Sequence, residues 1–117
     1  LTVTDTYRDY LTPSDFILFL DAAIALDVWP RECVVGSAKA ISTKQVAESV
    51  AGALNIALDT FTITINPPKE TDPKFVVFDI AETEKIFGWK PAGNVFEAIE
   101  SCVNTIKSSN QQLRLHH

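Results

Sequence analysis

Arg8 places a fixed positive charge directly before the most apolar stretch of the chain. It stands in the segment Tyr-Arg-Asp-Tyr, and residues 16–20, which follow closely, are Phe-Ile-Leu-Phe-Leu. A run this apolar suits a helix that is buried on all sides. The guanidinium can form a salt bridge with Asp9, Asp15 or a helix end, or it can present its planar donor fork to an anion. Considered without any relative, the residues favour the salt bridge.

The other reactive residue types do not form a catalytic constellation. The chain has no Gly-x-Gly-x-x-Gly turn, P-loop or zinc-ligand spacing, and only four glycines in all. Its two histidines are His116 and His117, which we interpret as the remnant of an expression tag. Neither Tyr7 nor Tyr10 is followed by lysine at the fourth position. The acidic residues are interpreted as helix caps or solvated positions, as for Asp15, Asp21, Glu82 and Glu97. The chain by itself is therefore predicted to lack a catalytic site.

Cys33 and Cys102 are the only cysteines, and both lie in apolar surroundings. We predict that both are small buried residues with free thiols, as is usual in a reducing cytosol. A redox pair is the less favoured alternative, because no Cys-x-x-Cys spacing occurs.

The composition predicts one cytoplasmic domain that binds neither nucleic acid nor membrane, and the order of the elements predicted below makes it a mixed α/β domain. The chain has 117 residues, of which 46% are hydrophobic, and a net charge of −5 without a Lys/Arg stripe. An apolar run as long as 16–20, which no other run exceeds, is far shorter than the ~20 residues that a membrane-spanning helix needs. Charged residues near the start also interrupt any signal-peptide pattern.

Four helices are predicted from repeated capping chemistry. Thr12, Ser42, Asp79 and Asn94 each stand before an apolar periodic segment, with an acid or amide three residues later. Asn55 and Gly88 occupy positions that suit a left-handed helix end. The predicted helices are 13–27, 43–55, 80–87 and 95–107.

Four strands are predicted between and before these helices, at 7–11, 32–36, 60–65 and 75–78. The third alternates threonine with apolar residues, which predicts one buried face, and the fourth, Phe-Val-Val-Phe, suits the interior of a sheet. A proline-rich loop, 66–74, separates these two. The resulting order is β-α-β-α-β-β-α-α, with the domain at 1–108 and a polar tail at 109–117.

Four segments in succession resemble the C-terminal portion of the extended short-chain dehydrogenases, the family of nucleotide-sugar epimerases and dehydratases. Residues 7–16 (YRDYLTPSDF) are similar to its Arg-Asp-Tyr segment, and residues 34–54 to its Gly-Ser loop and following helix. Residues 75–91 are similar to its late strand, short helix and Gly-Trp-x-Pro turn, and residues 94–106 to its last helix.

The resemblance implies a substrate-binding portion without its dinucleotide-binding half. The family's glycine-rich turn and catalytic Tyr-x-x-x-Lys pair lie upstream of the part that this chain matches. We therefore expect no cofactor to be bound by this chain itself, whereas NAD or NADP is implied for the full-length enzyme. The chain is then interpreted as a fragment, although a stand-alone gene product remains an alternative.

The resemblance also implies the substrate contacts. In the family, the arginine that corresponds to Arg8 contacts the diphosphate of a nucleotide sugar, and an Arg-x-Gly-Asp segment in the late loop supplies a second anchor. That segment here begins with Lys69 and ends with Asp72, and Thr71 replaces the glycine. Lysine offers a point charge in place of a bidentate fork, which makes this anchor the weaker one. Arg8, Lys69 and Asp72 are the predicted substrate-binding residues, with Asp72 bracing the loop.

The function expected from the resemblance is to clamp a nucleotide diphosphate sugar for an NAD(P)-dependent epimerase or dehydratase, without catalysis by this chain alone. The alternatives are a non-enzymatic binding or interaction module with the same fold, and a partner of a separately encoded nucleotide-binding half. Without that half, unpaired strand edges and the apolar surface of the 13–27 helix would be exposed. We therefore also expect a homodimer, and strand exchange is one way to form it.

Overall fold

A computed structural model describes residues 1–56 and 63–115, with side chains as far as residue 110. The elements are, in chain order, β1 (Thr2–Thr4), β2 (Tyr7–Asp9), α1 (Pro13–Ile24), β3 (Ala40–Ser42), α2 (Thr43–Ala53), β4 (Thr64–Asn66), α3 (Ala81–Phe87) and α4 (Val95–Leu115). The predicted mixed α/β class is confirmed, although the positions of several strands differ. His116 and His117, interpreted as a tag remnant, lie outside the described residues.

The described strands form two small two-stranded sheets. β1 pairs with β4 in parallel, and β2 pairs with β3 antiparallel, with Arg8 opposite Ile41. The predicted strand 60–65 is described only in part, since residues 60–62 lie outside the described residues. Its predicted half-buried alternation is wrong where it can be observed, because Ile65 in β4 is exposed.

Two predicted strands are irregular in the structure. Residues 32–36 have no strand conformation, and residues 75–78 pair only through a single parallel bridge between Tyr7 and Phe75. Phe75 is 59% exposed, so the prediction of a strand inside a sheet is wrong for this chain. Apolar composition favours an extended segment, but a strand forms only where a neighbouring strand supplies hydrogen bonds.

The predicted helix starts are confirmed at three of four positions. The Thr12 hydroxyl accepts from the Asp15 amide, Ser42 and Gln45 form a complete capping box, and the Asn94 side chain accepts two first-turn amides. The exception is α3, whose N-cap is Ile80 with no side-chain cap. The Asp79 carboxylate instead accepts the Ala81 amide one position earlier than expected.

The helix ends also follow the predicted chemistry in part. Gly88 is left-handed with φ 61°, and Asn55 with φ 58°. α1 ends at Ile24, three residues before the predicted end, whereas α4 continues through the predicted boundary at 108–109 as far as Leu115. α4 lies against α2, and the Lys107 ammonium donates to the Ala53 carbonyl at the C-terminal end of α2.

The core is small and forms where α1 meets α3 and the turn that follows it. The Phe19 ring makes edge contacts with Phe87 at 4.9 Å and with Trp89 at 5.4 Å between ring centroids. Ile80 and Ala23 complete this buried cluster. Trp89, in the turn after α3, and Phe87, at the end of α3, are thus both core residues.

A large apolar surface of α1 remains exposed. One side of the helix is buried at Asp15, Phe19 and Ala23. The remaining large apolar side chains of the helix, here called the apolar face of α1, are exposed by up to 77%: Phe16, Ile17, Leu18, Leu20 and Ile24. The interpretation of a helix buried on all sides is wrong for this chain, whereas the expected exposure of its apolar surface is confirmed.

The shape of the chain agrees with this incomplete burial. Its radius of gyration is 17.8 Å and its principal extents are 52 × 45 × 21 Å. A compact domain of this length has a radius of gyration of about 13 Å. The molecule is therefore flat, and its core is limited to one part of it.

Cys33 and Cys102 are both exposed with free thiols, so the prediction that they are buried is wrong. Cys33 lies in the irregular segment 32–36, and Cys102 lies on α4, where it lines an open cleft shared with Thr12, Pro13 and Ser14. In each case, apolar sequence neighbours predicted burial that the packing does not provide.

Within residues 1–56 and 63–115, every helix is too short or too polar to cross a lipid bilayer.

Candidate anion-binding site

Arg8 lies in the middle of β2 and is partly buried. Its Nη1 donates to the carbonyl oxygen of Tyr7 at 2.8 Å. Among the described residues, no carboxylate forms an ion pair with the guanidinium, since the two ion pairs found are Lys44–Glu48 and Lys74–Asp5. The salt bridge that the residues alone favoured is therefore not formed with Asp9 or Asp15. The remaining donors of the guanidinium stay available to an external acceptor.

Asp9, the neighbour of Arg8, uses both carboxylate oxygens to join three segments. Oδ1 accepts the Ser37 amide and hydroxyl, each at 2.7 Å. Oδ2 accepts the Ala38 amide at 2.9 Å and the Phe78 amide at 3.2 Å. The carboxylate therefore holds the loop before β3 and the segment after the proline-rich loop against β2.

The proline-rich loop begins and ends beside the N-terminal strands. On one side the Asp5 amide donates to the Asn66 carbonyl at 2.7 Å, and on the other the Tyr7 amide donates to the Lys74 carbonyl at 2.7 Å. An ion pair of 3.2 Å between Lys74 and Asp5 reinforces the second attachment. The loop that carries Lys69 is thus anchored next to the strand that carries Arg8.

Lys69 and Asp72 lie together in an exposed turn of this loop. The Asp72 amide donates to the Lys69 carbonyl at 2.9 Å, which closes the turn. Within the described part of the chain, the structure gives no contact between either side chain and Arg8. Arg8 and the loop are therefore neighbours through the backbone of β2, while their side chains are not joined.

A cleft of about 630 Å³ lies between the loop before β3 and the start of α4. Ile41, which faces Arg8 across the β2–β3 pair, lines it together with Lys39, Pro91 and Phe96. Directly opposite residues of an antiparallel pair project from the same side of the sheet. Ala40, which pairs with Asp9 and projects from the other side, lines the cleft as well, whereas Arg8 is not among its lining residues.

Asp15 has a structural role that exceeds the predicted helix cap. It is 3% exposed, and its oxygens accept the amides of Ala92 and Gly93, each at 2.9 Å. Burial raises the pKa of this carboxyl, but the hydrogen bonds from the two amides and from Thr12 outweigh it and lower the pKa below its ordinary value. Asp15 thus fastens the turn before α4 to the start of α1.

The roles of Asp9 and Asp15 were missed from the sequence. Their partners lie 28 and 69 residues away for Asp9, and 77 and 78 residues away for Asp15. An acid at the third position of a helix is ordinary, so the sequence around Asp15 does not distinguish a buried tie from a solvated cap. The residue that could have indicated the contact is Gly93, because a Cβ atom at this position would lie 2.8 Å from Asp15 Oδ2.

Neither a metal nor a dinucleotide fits the described residues. No cluster of three His, Cys, Asp or Glu side chains with metal-binding geometry occurs among them. The glycines of the chain, Gly36, Gly52, Gly88 and Gly93, are too far apart to form the turn that holds a dinucleotide pyrophosphate. What these residues leave open to a ligand is the guanidinium of Arg8, whose described hydrogen bond goes to the Tyr7 carbonyl.

Solved structures provide the decisive comparison. The enzyme WbmG from Bordetella bronchiseptica, crystallised with NAD and UDP, matches 85% of this chain with 27% identity and a TM-score of 0.75. The chain has the fold of the C-terminal part of an extended short-chain dehydrogenase. The family resemblance recognised in the sequence is thereby confirmed at the level of the fold.

Two further solved structures agree with this fold. RMD from Pseudomonas aeruginosa, solved with NADPH, matches 93% of the chain with 18% identity and a TM-score of 0.76. The UDP-glucose 4-epimerase of Thermotoga maritima, solved with UDP-glucose, matches 93% with 15% identity and a TM-score of 0.75. The chain spans only about a third of each of these proteins, at 32%, 36% and 35% of their lengths. No protein-family model and no curated protein matches the chain.

Proposed function

We propose that this chain is the substrate-binding C-terminal part of an NAD(P)-dependent nucleotide-sugar epimerase or dehydratase of the cytoplasm. In this proposal, Arg8 binds the diphosphate of the nucleotide sugar. The observation that carries it is the Arg8 guanidinium, which no described carboxylate neutralises. It lies on a strand that is hydrogen-bonded to β3 on one edge and to residues 74–76 on the other. A diphosphate would supply the acceptor oxygens that its free donors lack.

The ligands of the structural relatives support this substrate class. Three of these relatives were solved in complex with UDP, UDP-glucose and UDP-glucuronic acid, respectively, and all three ligands carry a diphosphate. Lys69 would contribute a second, weaker attraction from the exposed turn, because an ammonium on a flexible stem neutralises charge without fixing its geometry. Asp72 would keep that turn closed and would not contact the phosphate, since two anions repel each other.

The proposed division of labour leaves the redox step outside this chain. In the whole enzyme, hydride would pass between the sugar and a nicotinamide held by a dinucleotide-binding half. That half would cover the apolar face of α1, whose exposure is otherwise unfavourable. In its absence a second copy of the chain would cover the same face, giving a homodimer.

The test is the binding of UDP to the purified chain, measured by isothermal titration calorimetry. The contribution of a charge-assisted hydrogen-bond pair to phosphate is about 1.5–3 kcal/mol, so Arg8→Ala should weaken binding about 10- to 100-fold. Arg31→Ala is the matched control, since Arg31 is an exposed arginine far along the chain with no ion pair among the described residues. Equal affinities of wild type and Arg8→Ala would remove Arg8 from the site.

A second candidate function is an interaction module that does not take part in catalysis. The exposed apolar face of α1 favours it, because such a surface is typical of a docking site. The two candidates differ in the encoding reading frame. A glycine-rich turn encoded upstream in the same frame would support the enzyme, whereas a start codon directly before Leu1 would support the module.

A further inference from the structure

Asp9 is the most heavily hydrogen-bonded side chain of the β2 region, and the function proposed above assigns it no role. Each of its two oxygens accepts two donors, so that both are fully used by Ser37, Ala38 and Phe78. A carboxylate shared in this way by protein donors is not available to a substrate cation or to Arg8. If Asp9 contributes to ligand binding, it does so indirectly, by fixing the positions of the segments to which it is hydrogen-bonded.

The loop before β3 is shaped around this carboxylate. The successive amides of Ser37 and Ala38 both point at it, which is the arrangement of a backbone anion nest. Ala38 has φ 60°, a left-handed conformation that an alanine adopts only when its surroundings impose it. A Cβ at Gly36 would lie 3.1 Å from Asp9 Oδ2 and 3.1 Å from the Phe78 ring, so the closeness of these segments depends on glycine there.

The same carboxylate also continues a hydrogen-bond ladder on the other side of β2. The Tyr7 amide donates to the Lys74 carbonyl, and the Val76 amide donates to the Tyr7 carbonyl at 3.0 Å. Two residues further along the segment, the Phe78 amide donates to the Asp9 side chain instead of to a carbonyl. The ladder thus includes the Tyr7 carbonyl, which is the described hydrogen-bond partner of the Arg8 guanidinium.

We infer that Asp9 is a positioning residue for Arg8: its carboxylate locks β2 between the 36–38 loop and the 76–78 segment, and so fixes the guanidinium for a phosphate ligand. This deepens the proposed function and rests on it for the identity of the ligand. The arrangement explains why the charge next to Arg8 does not neutralise it. Four amide and hydroxyl donors occupy the Asp9 carboxylate, and the guanidinium keeps its free donors.

The experiment compares Asp9→Asn with wild type in two measurements, UDP affinity by calorimetry and the order parameter of the Arg8 Nε–H group by ¹⁵N relaxation. Asparagine keeps the shape but turns an amide group toward donors that need an acceptor. We expect UDP binding about tenfold weaker, and an Arg8 order parameter that falls below about 0.6, the range of flexible groups. Asp21→Asn is the matched control, because Asp21 is an exposed acid of α1 whose side chain makes no described contact.

A double-mutant cycle separates positioning from general destabilisation. If Asp9 acts through Arg8, Asp9→Asn should change UDP affinity less than twofold once Arg8→Ala is present. An equal loss in both backgrounds, or an Arg8 order parameter unchanged by Asp9→Asn, would overturn the inference. Ser37→Ala, which removes one of four donors, provides a milder variant if Asp9→Asn does not fold, with an expected two- to threefold loss and a partial fall in the order parameter.

The two proposals can fail separately. If the wild-type chain does not bind UDP, the proposed function fails, and the Arg8 order parameter still decides whether Asp9 positions the guanidinium. If UDP binds and depends on Arg8 but not on Asp9, the function stands and the positioning role is refuted.

Discussion

Replacing Asp15 by asparagine tests the tie between the start of α1 and the turn before α4. The carboxylate accepts the amides of Ala92 and Gly93, each at 2.9 Å, and the Thr12 hydroxyl at 3.0 Å. Asparagine can keep one amide partner but must direct its own donor group at the other. Because hydrogen bonds to a charged group each contribute about 1.5–3 kcal/mol, we expect a loss of about 2–4 kcal/mol in the free energy of unfolding.

The assay is thermal unfolding followed by circular dichroism. For a chain of this size, about 4 °C per kcal/mol gives a decrease of about 8–16 °C in Tm at pH 7. The lowered pKa of Asp15 sets the pH dependence. A carboxyl whose pKa is lower in the folded state stabilises above its unfolded-state pKa and loses this effect as the pH falls through the folded value. The difference in Tm between wild type and Asp15→Asn should therefore become smaller below about pH 4, which is near the ordinary pKa of an aspartate.

Two results would refute this reasoning. One is a Tm of Asp15→Asn within 2 °C of wild type at pH 7, which would mean that solvent replaces the carboxylate at the two amides. The other is a Tm difference that stays constant down to pH 3, which would assign the effect to shape and not to charge. Asp21→Asn, at an exposed site on the same helix, should unfold like wild type at both pH values.

Two further predictions concern glycine and the apolar face of α1. Gly93→Ala would bring a Cβ to 2.5 Å from Thr12 Oγ1 and should lower the Tm by several degrees, whereas Gly52→Ala, with open space around its Cβ position, should raise it slightly in the same melting experiment. A stabilised Gly93→Ala would contradict the close approach. The isolated chain should self-associate through the apolar face of α1, so Ile17→Asp combined with Ile24→Asp should shift the mass from light scattering toward the monomer. Unchanged association in that variant would place the contact elsewhere.

The sequence predicted local features well because their physics is local. The Ser42–Gln45 capping box and the left-handed Gly88 each depend on a few consecutive residues, and both are present. Strands were predicted less well because a strand depends on a distant partner. The segment 75–78 has the composition of an internal strand, but a single bridge to Tyr7 is the pairing that the described residues supply.

The candidate site could be predicted only as far as its motif. The Tyr-Arg-Asp-Tyr segment pointed to Arg8, and in the structure the Arg8 guanidinium does have donors without a described acceptor. The sequence could not predict that Asp9 and Asp15 link distant segments, because the residues around a carboxylate do not show which distant amides will donate to it. Gly36 and Gly93, the two glycines that make room for these carboxylates, would have been the best indication of both contacts.

The two tryptophans of the chain occupy opposite environments, which makes them separate optical reporters. Trp89 is 6% exposed in the core, whereas Trp29, just beyond the apolar face of α1, is 63% exposed and donates its indole N–H to the Ala23 carbonyl at 2.7 Å. Long-wavelength emission that acrylamide quenches should come from Trp29, and blue-shifted, protected emission from Trp89. Whatever covers the α1 surface can therefore be followed by the fluorescence of Trp29, without any added dye, while Trp89 records whether the core has stayed intact.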